Sequence, residues 1–545
     1  MRRVPTLPLL LAPILALACG PRVHDDRRLS DAIHSDEPPR LVVAVVIDQL
    51  GWSTYLRYRE HLDPEGALAR IAAQGRVHRV EYQHSATYTA AGHASIFTGA
   101  SPRVHGVMAN EVFVAGRGQV ASCDDGRSLV FGTEDEYAAP TIVRVDTIAD
   151  TLRAAHADAR IVAVSLKDRG SVIPAGHHPD AVAFWDRRGE RFTSSAYYGS
   201  AIPAWLEAFD ARAPFAERVG QWTPQDPSML EVTLGPDARA GEGGLGFGAE
   251  FPHDPREAGE EPAGSAFRGT PQAGELLADL ALDAARALEL GGDEVPDLLI
   301  VSFSNTDYVG HAFGLGSWEY LDNLIRTDRA LGRLLDTLEA ERGPIAVLVT
   351  SHHGHTASAV ATGGGRIVPR QLAAEVDAAI DSAIGEGDHA LAYVEPFVYL
   401  SEDTLADDHR APAMEAALGF LRAHAGVARA YDLVRAPPRA DAEDPLERLA
   451  YESVADDPPA PIFVVLAEGF VVDDDEPFDA GAGHGTPCAY DREVPALFAG
   501  PGVEPASFDA TAAPLDQRRV AATIGALLRI GPPAAGARDP LPGAP

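Results

Sequence analysis

Five apolar runs constrain this chain most: Leu41–Ile47, Ile161–Val164, Leu298–Phe303, Ile345–Val349 and Pro495–Ala499. They are continuous rather than alternating, and the first is rich in Val and Ile. Such a run suits a strand covered on both faces, which is the condition of a parallel sheet sandwiched between helices. Helical patterns lie between the runs. Thr270-Pro271 opens one with a cap and a first-turn proline, and Gly291 closes it. Another runs from about Glu319 to Glu341, with Leu321, Leu324, Leu331, Leu335 and Leu338 at helical spacing. The alternation predicts a layered α/β fold with a largely parallel central sheet. Two stretches break it. One begins near Ser171 and contains the Gly-, Pro- and Glu-rich segment Gly235–Gly269, expected as a surface loop. The other covers 359–479, with helices expected near Pro369–Ile384 and Pro412–Ala425. The Pro-, Gly- and Ala-rich end, Gly531–Pro545, is expected to be a disordered tail.

Several runs end on chemistry-bearing residues, as the carboxyl ends of strands in open α/β sheets do. Asp48 follows the first run. S-F-S-N-T-D-Y-V-G-H carries Asp307 and His311, four apart. V-T-S-H-H-G-H carries His352 and His353, and a Gly-rich loop, A-G-A-G-H-G-T-P, presents His484. A lone surface histidine is usually inert. Four clusters of carboxylates and imidazoles, the ligands that zinc and similar ions take, predict a metal site. Together with Thr89, these residues suffice for two divalent ions. Thr89 belongs to S-A-T-Y-T-A-A-G-H-A-S-I-F-T-G, at the start of a short helical pattern. There it is either a helix cap or, beside metals, an activated nucleophile. Lys167 and Arg169, two apart after another run, form either a solvated basic pair or a cradle for phosphate oxygens.

Acidic residues outnumber basic ones 80 to 45, for a formal net charge of −35. No nucleic-acid-binding surface is expected from such a balance. An anionic substrate has to be attracted locally, by metals or a few placed cations. The N-terminus, M-R-R-V-P-T-L-P-L-L-L-A-P-I-L-A-L-A-C-G, reads as a secretory signal over 1–18. Its A-L-A-C ending resembles a bacterial lipoprotein signal, with Cys19 as the lipidated residue and 19–39 as a tether. The expectation is an exported protein, periplasmic, extracellular or a lipoprotein of the outer membrane, touching membrane only through Cys19. Cys123 and Cys488 are too few for a disulfide framework.

The blocks V-V-I-D-Q-L, T-Y-T-A-A-G-H-A-S-I-F-T-G with H-G-V-M-A-N, V-S-L-K-D-R-G-S-V-I-P-A-G, S-F-S-N-T-D-Y-V-G-H and G-H-G-T together resemble the alkaline phosphatase superfamily. Within it they resemble the PafA-type alkaline phosphatases, which are related to type I phosphodiesterases and nucleotide pyrophosphatases. The resemblance implies a three-layer sandwich, one catalytic domain over 40–530 with insertions at about 171–269 and 359–479. It implies a two-zinc phosphomonoesterase working through a covalent phosphothreonine on Thr89. Asn110 would bind a phosphoryl oxygen, with Lys167 and Arg169 as the cations that distinguish monoesterases. One ion would take Asp307, His311 and His484; the other Asp48, Thr89, His352 and His353. The chain departs from the family at His352-His353-Gly354, where the pattern is Asp-His-Gly. The alternatives are a diesterase or nucleotide pyrophosphatase of the same superfamily, or a non-catalytic phosphate-binding protein if His352 disables the second metal site.

Overall fold

The structure is a computed structural model, described over residues 38–545 except 213, 240–241, 260–261, 357–362 and 474–480. The leader, Cys19 and nearly all of the expected tether lie outside the described residues. A nine-stranded sheet forms the centre. Numbered along the chain within that sheet, its strands are β1 (Leu41–Ile47), β2 (Arg76–Glu81), β3 (Ile161–Ser165), β4 (Ala181–Asp186), β5 (Arg191–Thr193), β6 (Asp297–Phe303), β7 (Ile345–Thr350), β8 (Glu493–Ala499) and β9 (Leu515–Asp516). Their spatial order is β9-β2-β8-β7-β1-β6-β3-β4-β5. β7, β1, β6, β3 and β4 run parallel.

β1 shows why its run has no alternation. Val43, Val45 and Ile47 enter the core on one face, while Val42, Ala44 and Val46 enter the core on the other. The first face is covered by the helices Pro271–Ala287 and Trp318–Arg342, through Leu277, Leu280, Leu321 and Leu335. The second is covered by Thr89–Thr98, Ile148–Ala155, Asp168–Ala175 and Arg519–Leu527. The fold is therefore a three-layer α/β sandwich. β8 alone among the apolar runs lies antiparallel to its neighbours, β7 and β2. Its chain arrives from the His484 loop, so it starts at the edge where the parallel strands end.

The expected first insertion needs correction. Ser171 lies inside the helix Asp168–Ala175, and β4 and β5 extend the main sheet. The residues after β5 add short helices and the loops between and after them, whose Leu206, Phe209, Trp222, Leu230 and Phe247 join the same core as β1. Apolar residues at irregular spacing bury there without a periodic signature. The expected tail is a second correction: Leu541 is buried in the second core. The backbone of the same segment takes part, Ala537 N–H donating to the Gly99 carbonyl and His78 Nε2 bonding the Pro542 carbonyl. Proline and glycine there set turns that bring one leucine home.

Between 365 and 472 the chain builds a separate four-stranded sheet, in the order Ala390–Val394, Phe397–Leu400, Ile462–Leu466, Val427–Asp432. The helices Pro369–Ile384 and Asp407–Ala423 cover one face around Leu372, Val376, Ile380 and Leu421. The other face, with Phe397 and Phe463, receives Met108 and Ala109 of the main body. Those two residues lead directly into Asn110.

Candidate active site and metal centre

β7, β1, β6 and β3 are adjacent and parallel, and Val46 stands level with Ser302 and Thr350 in the pairing register. Their carboxyl ends therefore open on one edge. There they deliver Asp48 (after β1), Asp307 (in the helix Asn305–Phe313 after β6), His352 and His353 (after β7) and Lys167 (after β3). The turn after β1 is held by its backbone. Asp48 N–H donates to the Phe303 carbonyl at 3.0 Å, and Thr306 Oγ1 donates to the Asp48 carbonyl at 2.6 Å. Gln49 takes φ +61° in that turn, a left-handed backbone that few non-glycine residues adopt.

The two carboxylates lie either side of one cation. Lys167 Nζ is 2.7 Å from Asp48 Oδ2 and 2.6 Å from Asp307 Oδ2. The imidazoles gather on the remaining oxygens. His352 Nε2 lies 2.8 Å and His353 Nε2 3.6 Å from Asp48 Oδ1. His311 Nε2 lies 3.2 Å and His484 Nε2 3.9 Å from Asp307 Oδ1. Asp48, His352 and His353 offer ligand atoms within 4.8 Å of one another, as do Asp307, His353 and His484. His353 thus stands between the two groups, stacked on His484 with ring centroids 3.8 Å apart. His311, whose side chain is 44% exposed, flanks Asp307 outside the tight group.

The residues fit a metal. Asp48 Oδ1, Asp307 Oδ1, His352 Nε2 and His353 Nε2 are buried and have no hydrogen-bond partner among the described residues. Buried polar atoms are normally paired, so four orphans converging at one place require a further partner. Protonation states agree. Burial holds His352 and His353 well below the usual histidine pKa and His484 down to about 4, so all three are neutral, the form that binds metal. Burial works against ionisation of Asp307, but Lys167, His311 and His484 outweigh it and hold its pKa well below the carboxylate range. Backbone carbonyls fix two of the rings. His353 Nδ1 bonds the Gly354 carbonyl and His484 Nδ1 the Thr87 carbonyl, each at 2.9 Å, leaving Nε2 facing the carboxylates. His355 instead pairs with Thr54 Oγ1.

Thr89 is the first residue of its helix, with Tyr88 extended at the cap position, and it is buried. Tyr88 holds the cap position without a side-chain bond, so Thr89 stands one residue past the cap and is not the capping residue. Asn110 Oδ1 accepts from Ala90 N–H at 2.9 Å, which fixes the amide beside Thr89. The same helix presses on the His352 loop: a Cβ on Gly92 would lie 2.2 Å from the His352 carbonyl oxygen. Arg169, one residue into the helix after Lys167, lines a cavity with it. Three neighbours escaped the sequence reading. Besides Gln49, His93 joins the Thr89 carbonyl to Ser302 Oγ, at 2.8 and 2.9 Å. Tyr308 places its ring 5.0 Å from Lys167 Nζ. Only the motif positions next to Thr89 and Asp307 hinted at either.

The three-layer α/β sandwich thus gathers paired carboxylates, neutral imidazoles and the buried Lys167 at its strand ends. The family model described as "Type I phosphodiesterase / nucleotide pyrophosphatase" matches residues 42–410. The chain is 31% identical over 327 residues to alkaline phosphatase PafA of Elizabethkingia meningoseptica, covering 58% of this chain and 60% of that one. It is 27% identical over 513 residues to alkaline phosphatase PhoV of Synechococcus elongatus, covering 91% of each. A protein of Myroides odoratus named calcium-transporting ATPase is 27% identical over 515 residues, 91% of this chain and 92% of that one. The crystal structure of wild-type PafA superposes with a TM-score of 0.83 at 25% identity, covering 93% of this chain and 99% of that one. The chain belongs to the type I phosphodiesterase/nucleotide pyrophosphatase family, and is an enzyme of the PafA-type alkaline phosphatases in the alkaline phosphatase superfamily.

Proposed function

We propose that the protein is an exported, metal-dependent phosphatase that hydrolyses small phosphate monoesters through a phosphothreonine on Thr89. The observation that carries the monoester reading is the buried Lys167, held between Asp48 and Asp307 with Arg169 beside it on the cavity wall. A terminal phosphoryl group bears more negative charge than a diester, and two cations at the metal cluster match it. Relatives named as alkaline phosphatases support a phosphatase over a diesterase or a non-catalytic binder. Asp307, His311 and His484 would hold one ion and Asp48, His352 and His353 the other, with Thr89 beside them; the donor set suits zinc. When bound, such ions supply positive charge to the phosphoryl oxygens and lower the pKa of an adjacent hydroxyl.

The chain's own residues do the rest. Thr89 Oγ1 gives its proton to water and attacks phosphorus, the ester P–O bond breaks, and the alkoxide leaves with that electron pair and takes a proton from water. A water then attacks the phosphothreonine, which returns Thr89 and releases phosphate. The Asn110 amide, with its oxygen bonded to Ala90 N–H, has its N–H₂ to donate to a phosphoryl oxygen. Lys167 and Arg169 stabilise the charge that spreads over the equatorial oxygens. The leader and Cys19 support placing the body outside the cytoplasm, in the periplasm or on a lipid anchor. The test compares p-nitrophenyl phosphate with bis-p-nitrophenyl phosphate, for wild type and Thr89→Ala. The monoester should be cleaved faster, and Thr89→Ala should lose about a thousandfold or more in kcat. A faster diester would overturn the monoester reading, and an active Thr89→Ala would remove Thr89 as nucleophile.

A further inference from the structure

A cavity of 530 Å³ begins at Lys167 and Arg169 and runs outward along the main body. Its walls continue, residue by residue, from the groups assigned above. Glu111 follows Asn110 in the chain, and Tyr308 follows Asp307. No residue of the helix Thr89–Thr98 lines it. An in-line displacement sends the leaving oxygen out on the side opposite the nucleophile. A cavity that contains the phosphoryl cations but none of the nucleophile's helix is open to that oxygen and to whatever it carries.

The walls define what the cavity takes. Arg268 Nη1 donates to Tyr308 Oη at 2.7 Å, with its guanidinium 4.4 Å from the ring centroid. The pair forms a flat, rigid, donor-bearing wall beside Lys167. Glu111 and Asp186 supply acceptors, and over the whole lining carboxylates and cations occur in near-equal number. A second phosphate or carboxylate would meet those carboxylates, inside a chain whose formal charge is −35. An apolar leaving group would take those carboxylates and cations out of water while offering them no hydrogen bond in return. A hydroxyl satisfies both kinds of wall, since it donates to carboxylates and accepts from guanidinium. We infer that this cavity is a leaving-group subsite for an uncharged, polyhydroxylated alcohol, so that the substrates are sugar or polyol monophosphates. The inference rests on the phosphatase reading and narrows its substrate class.

The test uses the metal-loaded enzyme and two esters with alkoxide leaving groups, glucose 6-phosphate and methyl phosphate, so that the chemistry at phosphorus is matched. Wild-type kcat/KM should favour glucose 6-phosphate by about tenfold, the effect of a few net hydrogen bonds. Arg268→Met and Glu111→Gln should each bring that ratio towards unity. A wild-type ratio near unity, with methyl phosphate hydrolysed, would overturn the subsite and leave the phosphatase reading standing. A preference for glucose 1,6-bisphosphate over glucose 6-phosphate of about tenfold or more would make it an anion site instead. If neither ester is hydrolysed, the phosphatase reading fails and the subsite with it.

Discussion

His352 is where this chain departs from the family's Asp-His-Gly pattern, and its surroundings state what the change costs. Its Nε2 faces Asp48 Oδ1 at 2.8 Å, fully buried and without another partner among the described residues. A carboxylate there would put like charges in contact while adding a stronger ligand for a cation. His352→Asp should therefore melt a few degrees lower than wild type after chelator treatment, yet retain more metal in a chelator challenge. Unchanged melting together with unchanged metal content would take His352 out of the ligand set. A second buried residue makes stability depend on pH. Glu319 bonds His253 Nε2 at 2.9 Å, and burial pushes its pKa up to about 8 from 4.5. Burial also holds His253 down to about 4, so the pair is neutral in the mid range. Between about 4.5 and about 8 the folded protein keeps a proton on Glu319 that the unfolded chain releases. Up to about 6.5 the proton that the unfolded chain keeps on His253 offsets this, so stability should hold level there, fall as pH rises from about 6.5 to about 8, and level off above. Glu319→Gln, which keeps a hydrogen-bonding side chain but no titrating group, should flatten that slope in melting curves. An equal slope in both proteins would contradict the assignment.

Among the elements, the short helix Thr89–Thr98 carries the most constraint. All its residues are buried, so no amphipathic pattern marks it. What its sequence does show is smallness. Ala90, Ala91 and Gly92 let it approach the β7 loop, and a Cβ on Gly92 would sit 2.2 Å from the His352 carbonyl oxygen and 2.7 Å from its Cβ. Gly92→Ala must push apart the helix that bears Thr89 and the loop that bears two imidazoles. A loss of about 1–3 kcal/mol is expected in denaturant unfolding, accompanied by reduced turnover. Full stability would show that the two elements are not tightly apposed. Element type was legible wherever one periodicity ran uninterrupted. The helices Pro271–Ala287 and Trp318–Arg342 fall within a few residues of where leucine spacing puts them. It was less legible at Pro412, expected to open a helix but placed inside Asp407–Ala423. An exposed proline in an early turn leaves its lost hydrogen bond to water rather than to the core.

Over the whole molecule, a formal charge of −35 opposes the approach of any phosphate ester, while Lys167 and Arg169 act only at short range. Salt screens the distant field first. Raising ionic strength from about 10 mM to about 200 mM shortens the Debye length from about 30 Å to under about 10 Å. The value of kcat/KM for an anionic monoester should therefore rise with salt, the reverse of ordinary electrostatic steering. A steep fall would show that local cations dominate the approach. The four-stranded sheet between 365 and 472 acts at this scale too. Its own core closes one face, and its other face grips Met108 and Ala109, so the amide of Asn110 is anchored by a part of the chain far away in sequence.

The sequence by itself determined the layered α/β class, because strands buried on both faces must be apolar throughout. It also singled out by type the carboxylates and imidazoles that follow strands, which the fold brings to one edge. Neither depends on contacts between distant segments. Tertiary structure alone decided the rest. It made β8 antiparallel, packed 531–545 through Leu541, and joined the stretch after β5 to the main core. It also set His353 between the two carboxylate groups and left His311 at their edge. Those outcomes turn on which surfaces meet, at what distance and with which partner, and no local pattern of residues records that.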